Sequence, residues 1–447
     1  MPVKLSEMEA VLREIRVKPM KSLGQNFLHD QNLAGWIVDQ AKMTPDDYVV
    51  EIGPGLGALT EHALASGASV LAIEKDARLA NFLREKLAHE RLEILHADAL
   101  DFDVRKLFAQ RNVKLIGNLP YYASSEVLFK FTKYPSPICL WMLMLQKEVA
   151  ERLSASPGTK EYGAMTLLIR EHYHVENLRT VRASVFLPRP DVDSAIVRLT
   201  PRANNELPDH DSELFPDLVR RGFSQRRKQL QKLLRAECPN WSEAAASIGF
   251  DAKARAEQLS LEQWIALTNF VRPIVVPARI IVETERFQVV DKDDHALGCA
   301  SRVKVHGDNL RHRAVHILIF NRDGEIYLQK RSRWKDRHAG QWDSSAAGHV
   351  NAGEQYDDAA RRELLEELGV SAALERVLKL PASDRTGQEF IWLYRTCHDG
   401  PFQPARSEIE TGEFFPPEII AGWIEARPED FAPGFLECWR AFQQDRH

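Results

Sequence analysis

Residues 348–370 read GHVNAGEQYDDAARRELLEELGV and place Glu363, Glu366 and Glu367 at i, i+3 and i+4. On an α-helix that spacing brings all three carboxylates to one face. Three clustered anions repel one another unless a cation lies among them. Oxygen ligands of this kind suit Mg²⁺ or Mn²⁺, and such a metal can bridge a substrate diphosphate. The segment fills the pattern G-x5-E-x7-R-E-U-x-E-E-x-G-U, with U aliphatic, at Gly348, Glu354, Arg362, Glu363, Leu364, Glu366, Glu367, Gly369 and Val370. Arg362 is placed to pair with Glu354 and hold the preceding loop against the helix. Gly348 is expected in a loop and Gly369 at a helix C-cap. A charged surface helix has no reason to keep every one of these positions. The pattern fills only the C-terminal third, and a second glycine-rich signature, EIGPGLG, lies far upstream at 51–57. The chain therefore reads as two catalytic units joined end to end.

Its 447 residues exceed one ordinary core. No run approaches the roughly 18–20 apolar residues of a membrane span. The opening MPVKLSEMEAVLREIRVKPM has no apolar signal core, so export is not expected. Cysteines 139, 238, 299, 397 and 438 are scattered and form no CxxC, which fits a reduced, cytoplasmic setting without structural zinc. Residues 1–272 hold 36 Lys+Arg against 35 Asp+Glu, and residues 273–447 hold 23 against 29. Neither balance argues for a polyanion partner, so local clusters must carry that argument.

Short apolar runs at Tyr48–Ile52, Ser69–Ile73, Leu92–Leu95 and Val113–Ile116 alternate with helical stretches such as Leu59–Ala65. This alternation predicts a doubly wound parallel sheet. From about Asp211 to Phe270 the character is helical, with runs at Leu214–Gly222, Arg226–Ala236, Ser242–Ile248 and Leu261–Phe270. The Pro-punctuated VRPIVVP at 271–277 marks a linker. Strands return at Phe287–Val290, Ala314–Phe320, Ile326–Lys330 and Phe390–Arg395, and the glutamate-rich helix falls between the last two.

In the first half Gly53, Gly55 and Gly57 occupy a strand-to-helix turn, where glycine lets backbone approach a ligand closely. Glu51 ends that strand. Glu74 ends the next, where a carboxylate accepts from ribose hydroxyls. Asp98, after the third strand, is placed to accept from an adenine amino group. Asn118-Leu119-Pro120-Tyr121-Tyr122 follows the fourth. An amide and a Pro-fixed carbonyl can both accept from an exocyclic amine, and an adjacent aromatic can stack on the base. That set suits methyl transfer to adenine N6, where positioning and an in-line donor lower the barrier without a strong base.

These segments resemble a known family. GQNFLHD (24–30), EIGPGLGALT (51–60), HADAL (96–100), GNLPYY (117–122), FLPRPDVDSAIVRL (186–199) and FSQRRKQLQKLL (223–234) follow the order of KsgA-type small-subunit ribosomal RNA adenine dimethyltransferases. The resemblance covers roughly residues 15–270. It implies transfer of two methyl groups from S-adenosylmethionine to each of two adjacent adenines near the 3′ end of 16S rRNA, in the 30S subunit. By motif position it implies that Asn26, Leu28, Gly53, Gly55, Glu74, Asp98 and Asn118 hold the methyl donor or the amine. Asn118, Leu119 and Tyr121 would present the base, and Phe186 would be its second stacking face. Relatives that methylate 23S rRNA share these motifs, and FSQRRKQLQKLL with its helical tail favours the small-subunit enzyme. Arg220, Arg221, Arg226, Arg227 and Lys228 read either as a solvated helix face or as a phosphate-contacting surface. Beside an adenine site the latter is preferred. The target adenine must leave its stack, so flipped or single-stranded RNA is expected.

The C-terminal pattern is the signature of the Nudix diphosphohydrolases, and the resemblance covers about residues 285–445. It maps Glu363, Glu366 and Glu367 to metal ligands and Glu354 to a further ligand or structural acid. Glu366, Glu408 and Glu410 are candidates for the base that activates water. LRHRAVHILIFNRDGEIYLQKRS (310–332) and WDSSAAGHV (342–350) resemble the Nudix branch nearest isopentenyl-diphosphate isomerase. No cysteine follows the HRA strand before the signature, which disfavours isomerase chemistry. His312, His316, Arg331 and Lys335 are placed either to meet phosphates or to lie on the surface. The implied function is hydrolysis of a nucleoside diphosphate linked to another moiety, a small-molecule substrate. The alternatives are a non-catalytic nucleotide-binding module and an isomerase-like enzyme, and for the first half a ribosome-binding scaffold without methyl transfer.

The expected architecture is α/β: a Rossmann-like SAM methyltransferase domain at 1–205, a small helical rRNA-binding domain at 206–272, a linker at 273–285 and an α/β/α Nudix domain at 286–447.

Overall fold

The computed structural model describes residues 5–19, 25–120, 123–203, 206–273 and 285–445. Two compact units, Met1–Pro273 and Ile274–His447, divide the chain. Tyr121, Tyr122 and nearly all of the expected linker lie outside the described residues.

Among the described residues of the first unit the strands are β1 (Phe27–Leu28), β2 (Tyr48–Ile52), β3 (Ser69–Glu74), β4 (Leu92–His96), β5 (Val113–Asn118), β6 (Ile138–Gln146), β7 (Tyr173–Val181), β8 (Phe186–Leu187) and β9 (Ser194–Pro201). Seven form one sheet in the order β4-β3-β2-β5-β6-β9-β7. The strands from β4 to β6 run parallel. β9 and β7 add antiparallel pairings, so the sheet is mixed where the sequence pattern predicts a parallel one. β6 (ICLWMLMLQ) is a continuous apolar run, which periodicity alone does not separate from a buried helix.

Alternate strand residues serve opposite faces. Val50, Ile52, Leu71, Ile73 and Leu115 pack on one side with Trp141 and Phe131. Val49, Val70 and Ile116 pack on the other with Ile37 and Leu59. The carboxyl ends of β2, β3, β4 and β5 consequently lie side by side. β1 pairs with β8, tying the segment before the sheet to the segment before β9.

The helical lobe packs Phe215, Leu218, Leu230, Trp241 and Trp264 into one core, and Ala155, Tyr162 and Leu167 from the preceding segment join it. Its helices span Leu214–Gly222, Leu230–Leu233, Trp241–Ile248 and Leu261–Val271. The expected run Arg226–Ala236 is shorter than the pattern implies. Residues 224–229 form a turn, and the helix starts where the Leu230 amide donates to the Ala254 carbonyl at 2.9 Å. Arg226, Arg227 and Lys228 are exposed in that turn, which lets three adjacent cations fan apart.

In the second unit the strands are β10 (Arg286–Val290), β11 (Ala296–Ser301), β12 (His312–Phe320), β13 (Ile326–Arg331), β14 (Trp342–Asp343), β15 (Ala346–His349), β16 (Glu375–Leu380), β17 (Glu389–Cys397) and β18 (Ile409–Phe415). β12 is central, antiparallel to β15 and parallel to β17. The helix Tyr356–Leu368 packs Ala359, Ala360, Leu364 and Leu368 against Val315, Ile317 and Ala346. A separate chain of aromatic contacts joins Trp342, Trp423, Phe431, Phe435 and Trp439, bringing in the helices Pro417–Ala426 and Pro433–Asp445.

Candidate active sites

The first unit holds a cavity of about 280 Å³ at the carboxyl ends of β2, β3 and β5. Asn26, Gly53, Gly55, Glu74, Asp98 and Asn118 all line it. Gly55 has φ +59°, and a β-carbon there would sit 2.8 Å from the Phe27 ring, so the turn needs glycine on both counts. Glu74 is buried. Its Oε2 accepts from the Gly55 amide at 3.1 Å and its Oε1 from the Asp76 amide at 2.8 Å. Burial raises its pKa against those bonds. Asp98 pairs with Lys75 at 2.6 Å and accepts from the Leu100 amide, which holds its carboxyl below the usual range. Asn118 donates from Nδ2 to the Asn26 carbonyl at 2.7 Å. That bond orients the amide and leaves Oδ1 as the acceptor.

The remaining sequence-derived residues lie elsewhere. Leu28 and Phe186 are register partners in the β1–β8 pair, at 6% and 2% exposure, and neither lines the cavity. In this arrangement Phe186 packs into the core and offers no face to a base. Leu119 is buried in the sheet core and does not line the cavity. Tyr121 lies outside the described residues. Glu51 points inward: Thr60 Oγ1 donates to it at 2.6 Å, and burial pushes its pKa up to about 7. The cavity also uses Gln25, Lys75 and Asp76, which motif reading passed over.

The second unit gathers its acids around Arg362. The guanidinium donates to both oxygens of Glu354 at 2.9 and 3.0 Å, to Glu363 at 2.7 Å, to Glu366 at 3.0 Å and to the His349 carbonyl at 3.0 Å. Glu354 also accepts from the Asn351 amide. Glu367 is buried and accepts from Gln329 and from the Ala347 amide, each at 3.1 Å. Burial raises the pKa of Glu363 and of Glu367, and the Glu367 charge raises Glu363 further. Gly348 lies in β15, paired with Val315, rather than in a loop, and the Glu363 carboxylate occupies the space a β-carbon would need. Gly369 caps the helix at φ +70°.

β15 also forms a wall of a cavity of about 340 Å³. Arg302, Arg331, Arg337 and Arg385 line that cavity together with Asp343, Asp384 and Glu389, and no cysteine is among its described lining residues. His312 and His316 are buried, and the side chains of Arg331 and Lys335 are only 13% and 16% exposed, so the surface alternative for these four is corrected. His316 bonds Ser344 at 2.7 Å, and Arg331 bonds Asp343 at 2.9 Å. Lys335 pairs with Glu408, while Glu410 pairs with Lys330. The side chain of Glu366 is 58% exposed.

Compared with known proteins, residues 17–272 match the family model for ribosomal RNA adenine dimethylases, which is more than half of the chain. The chain belongs to the ribosomal RNA adenine dimethylase family. Residues 310–435 match the NUDIX domain model, so the dimethylase unit is followed by a NUDIX unit. Ribosomal RNA small subunit methyltransferase A of Geobacillus thermodenitrificans is 38% identical over 267 residues, covering 57% of this chain and 91% of that protein. The protein of the same name from Bacillus mycoides is 39% identical over 262 residues, covering 56% and 90%. Among solved structures, the 23S rRNA methyltransferase ErmE is 29% identical, covers 55% of this chain and 99% of its own, and gives a TM-score of 0.47. DR0079 from Deinococcus radiodurans is 27% identical, covers 35% and 98%, and gives a TM-score of 0.32. No helix among the described residues is long and apolar enough to cross a membrane.

Proposed function

We propose that the dimethylase unit transfers methyl groups from S-adenosylmethionine to N6 of two adjacent adenines near the 3′ end of 16S rRNA in the 30S subunit. The observation that carries this reading is the Asn118 amide, tied to the Asn26 carbonyl at the mouth of a cavity that also holds Glu74 and Asp98. The lining mixes apolar walls (Ile52, Ile73, Leu79) with these polar groups, which fits an adenosine carrying an amino-acid tail. The sulfonium of the methyl donor supplies an electrophilic carbon. Asn118 Oδ1 would accept from the target amine and aim its lone pair; the C–N bond would form as the methyl C–S bond breaks, leaving S-adenosylhomocysteine, and the amine proton would pass to solvent. Labelled S-adenosylmethionine with 30S subunits lacking the modification tests this. Two neighbouring dimethyladenosines should appear, and Asn118→Ala should abolish them. No incorporation into those 30S subunits, with methylation of 23S rRNA in a parallel reaction, would sink the reading.

The NUDIX unit, in the same proposal, hydrolyses a nucleoside diphosphate linked to another group, with Mg²⁺ or Mn²⁺. Glu363, Glu366 and Glu367 present only oxygen donors, and Gly348 leaves room for the Glu363 carboxylate, so the set fits such an ion. Glu354 braces Arg362 with both oxygens. A cation held there would polarise the diphosphate, and Arg331, which lines the adjoining cavity, would meet its charge. The full chain with either metal should hydrolyse one member of a panel containing ADP-ribose, NADH, dinucleoside polyphosphates and isopentenyl diphosphate. Glu366→Gln should remove that activity. A folded, metal-binding chain silent across the panel would favour a nucleotide-binding module.

A further inference from the structure

One turn of the NUDIX unit carries an exposed aromatic ring beside the glutamate signature. Trp334 is 49% exposed, and it is the one exposed tryptophan of the nine in the chain. It stands between Arg333 and Lys335 in the loop that joins β13 to β14. The Lys335 amide donates to the Ser332 carbonyl at 3.2 Å, and the Trp334 amide donates to Ser332 Oγ at 3.2 Å. Residues 332–335 therefore form a closed turn with Arg333 and Trp334 at its tip. Turn tips favour Gly, Asn, Asp and Ser, so local backbone chemistry gives no reason for an indole there.

Glu408 fixes both ends of this turn. Its carbonyl accepts from the Ser332 amide at 2.8 Å, and its carboxylate pairs with Lys335. Ser332 is buried and the Lys335 side chain is largely covered, so the turn is pinned from below while Trp334 stays in solvent. The charges of Glu367 and Glu363 act on the Lys335 ammonium, which sets the base of the turn beside the signature carboxylates. Farther along the same loop, Arg302 donates to Asp336 at 2.8 Å, and Arg337 and His338 line the cavity walled by β15. The loop that carries the ring thus reaches both the acids and the cavity. An indole held this way suits a planar heteroaromatic base. Stacking removes both faces from water and costs little side-chain entropy, because Trp has only two side-chain torsions to fix. An isoprenoid tail offers no such plane.

We propose that Trp334 is the base-stacking residue of the NUDIX unit, receiving the nucleobase of a nucleoside whose diphosphate lies at the signature carboxylates. The assignment rests on the nucleoside-diphosphate reading above and deepens it, because it gives the base its own contact. Nucleoside diphosphates and isopentenyl diphosphate share the diphosphate, and the ring at Trp334 tells them apart.

The test uses the full chain with Mg²⁺, its methyl-donor cavity filled with S-adenosylhomocysteine so that adenine cannot bind there. ADP and isopentenyl diphosphate, both diphosphate monoesters, are titrated by calorimetry and by tryptophan emission. ADP should bind wild type and quench part of that emission. Trp334→Leu should abolish the quenching, weaken ADP about tenfold or more and leave isopentenyl diphosphate within about twofold. Trp334→Phe keeps a ring and should retain most of the ADP affinity. A folded Trp334→Leu chain that binds ADP as tightly as wild type overturns the proposal. Wild type that binds isopentenyl diphosphate but not ADP also overturns it, while leaving a diphosphate site in place. Binding of neither overturns the nucleoside-diphosphate reading and the stacking assignment with it. Should Trp334→Leu fail to fold, Trp334→Phe decides: the quenching must vanish with the indole, and its persistence overturns the proposal.

Discussion

Gly348 lies against the carboxylate of Glu363, with no room between them for a β-carbon. The strand and the helix that carry the two halves of the NUDIX signature are therefore fitted at the position where the acid must stand. Gly348→Ala should push Glu363 aside while leaving the hydrophobic contacts of the helix in place. The expected result is a 10–100-fold loss of metal affinity or hydrolysis, the range seen when groups that orient a ligand are disturbed. Mn²⁺ titration alongside a thermal melt checks this. Unchanged Mn²⁺ affinity in the folded variant would remove Glu363 from the ligand set.

Asn118 reaches back to the Asn26 carbonyl, so its amide is held before any substrate arrives. Asn118→Ala removes both the acceptor and that tether. Methyl transfer should fall by about 100-fold or more, because misplacing reacting groups by an ångström costs that much. Affinity for S-adenosylmethionine, measured by calorimetry, should change far less, since Glu74 and Asp98 keep their backbone partners. A loss confined to affinity would make Asn118 a donor-binding residue only.

What was legible in the sequence follows from how local each constraint is. β2, β3, β4 and β5 are short apolar runs closed by turns, and their ends carry Gly53, Glu74, Asp98 and Asn118 to one cavity. The glutamate helix was legible because i, i+3, i+4 spacing is local. The antiparallel β7 and β9 were not, since β7 is an edge strand with little alternation. Phe186 was placed at the base by motif, yet its pairing with Leu28 across the chain buries it.

Glu363 and Glu367 make the metal-free NUDIX unit sensitive to pH. Both pKa values are raised above 4.5 by burial, and Glu363 also by the Glu367 charge. Arg362 and Glu366 face Glu363, and Lys335, Arg331 and Asp343 face Glu367. Above 4.5 the folded state holds more protons than the unfolded chain, so stability falls as pH rises towards the folded values. Each unit of difference costs about 1.4 kcal/mol. In chelator, the melting temperature of wild-type relative to Glu363→Gln should therefore drop between about pH 5 and pH 8. Mn²⁺ requires the ionised carboxylates, so its stabilising increment should grow over the same interval. An increment independent of pH would show that Mn²⁺ binds elsewhere.

The basic turn of the helical lobe separates two roles that charge counting merges. Arg226, Arg227 and Lys228 are exposed in the turn 224–229, and Arg226 donates to the Lys160 carbonyl. Arg221 instead pairs with Glu237 and bonds the Leu233 carbonyl, joining two helices of the lobe. If the turn meets rRNA phosphates, each contact displaces condensed counterions and adds roughly 0.7–0.9 to the slope of log K against log salt. Replacing all three turn residues by alanine should then flatten that slope by about 2 to 3 and weaken binding alike on methylated and unmethylated subunits. Arg221→Ala should act chiefly on the melting temperature, with little change in slope. Filter binding of 30S subunits over a salt series distinguishes them. An unaltered slope in the triple variant would leave those cations as a solvated turn and move the rRNA contact elsewhere on the dimethylase unit.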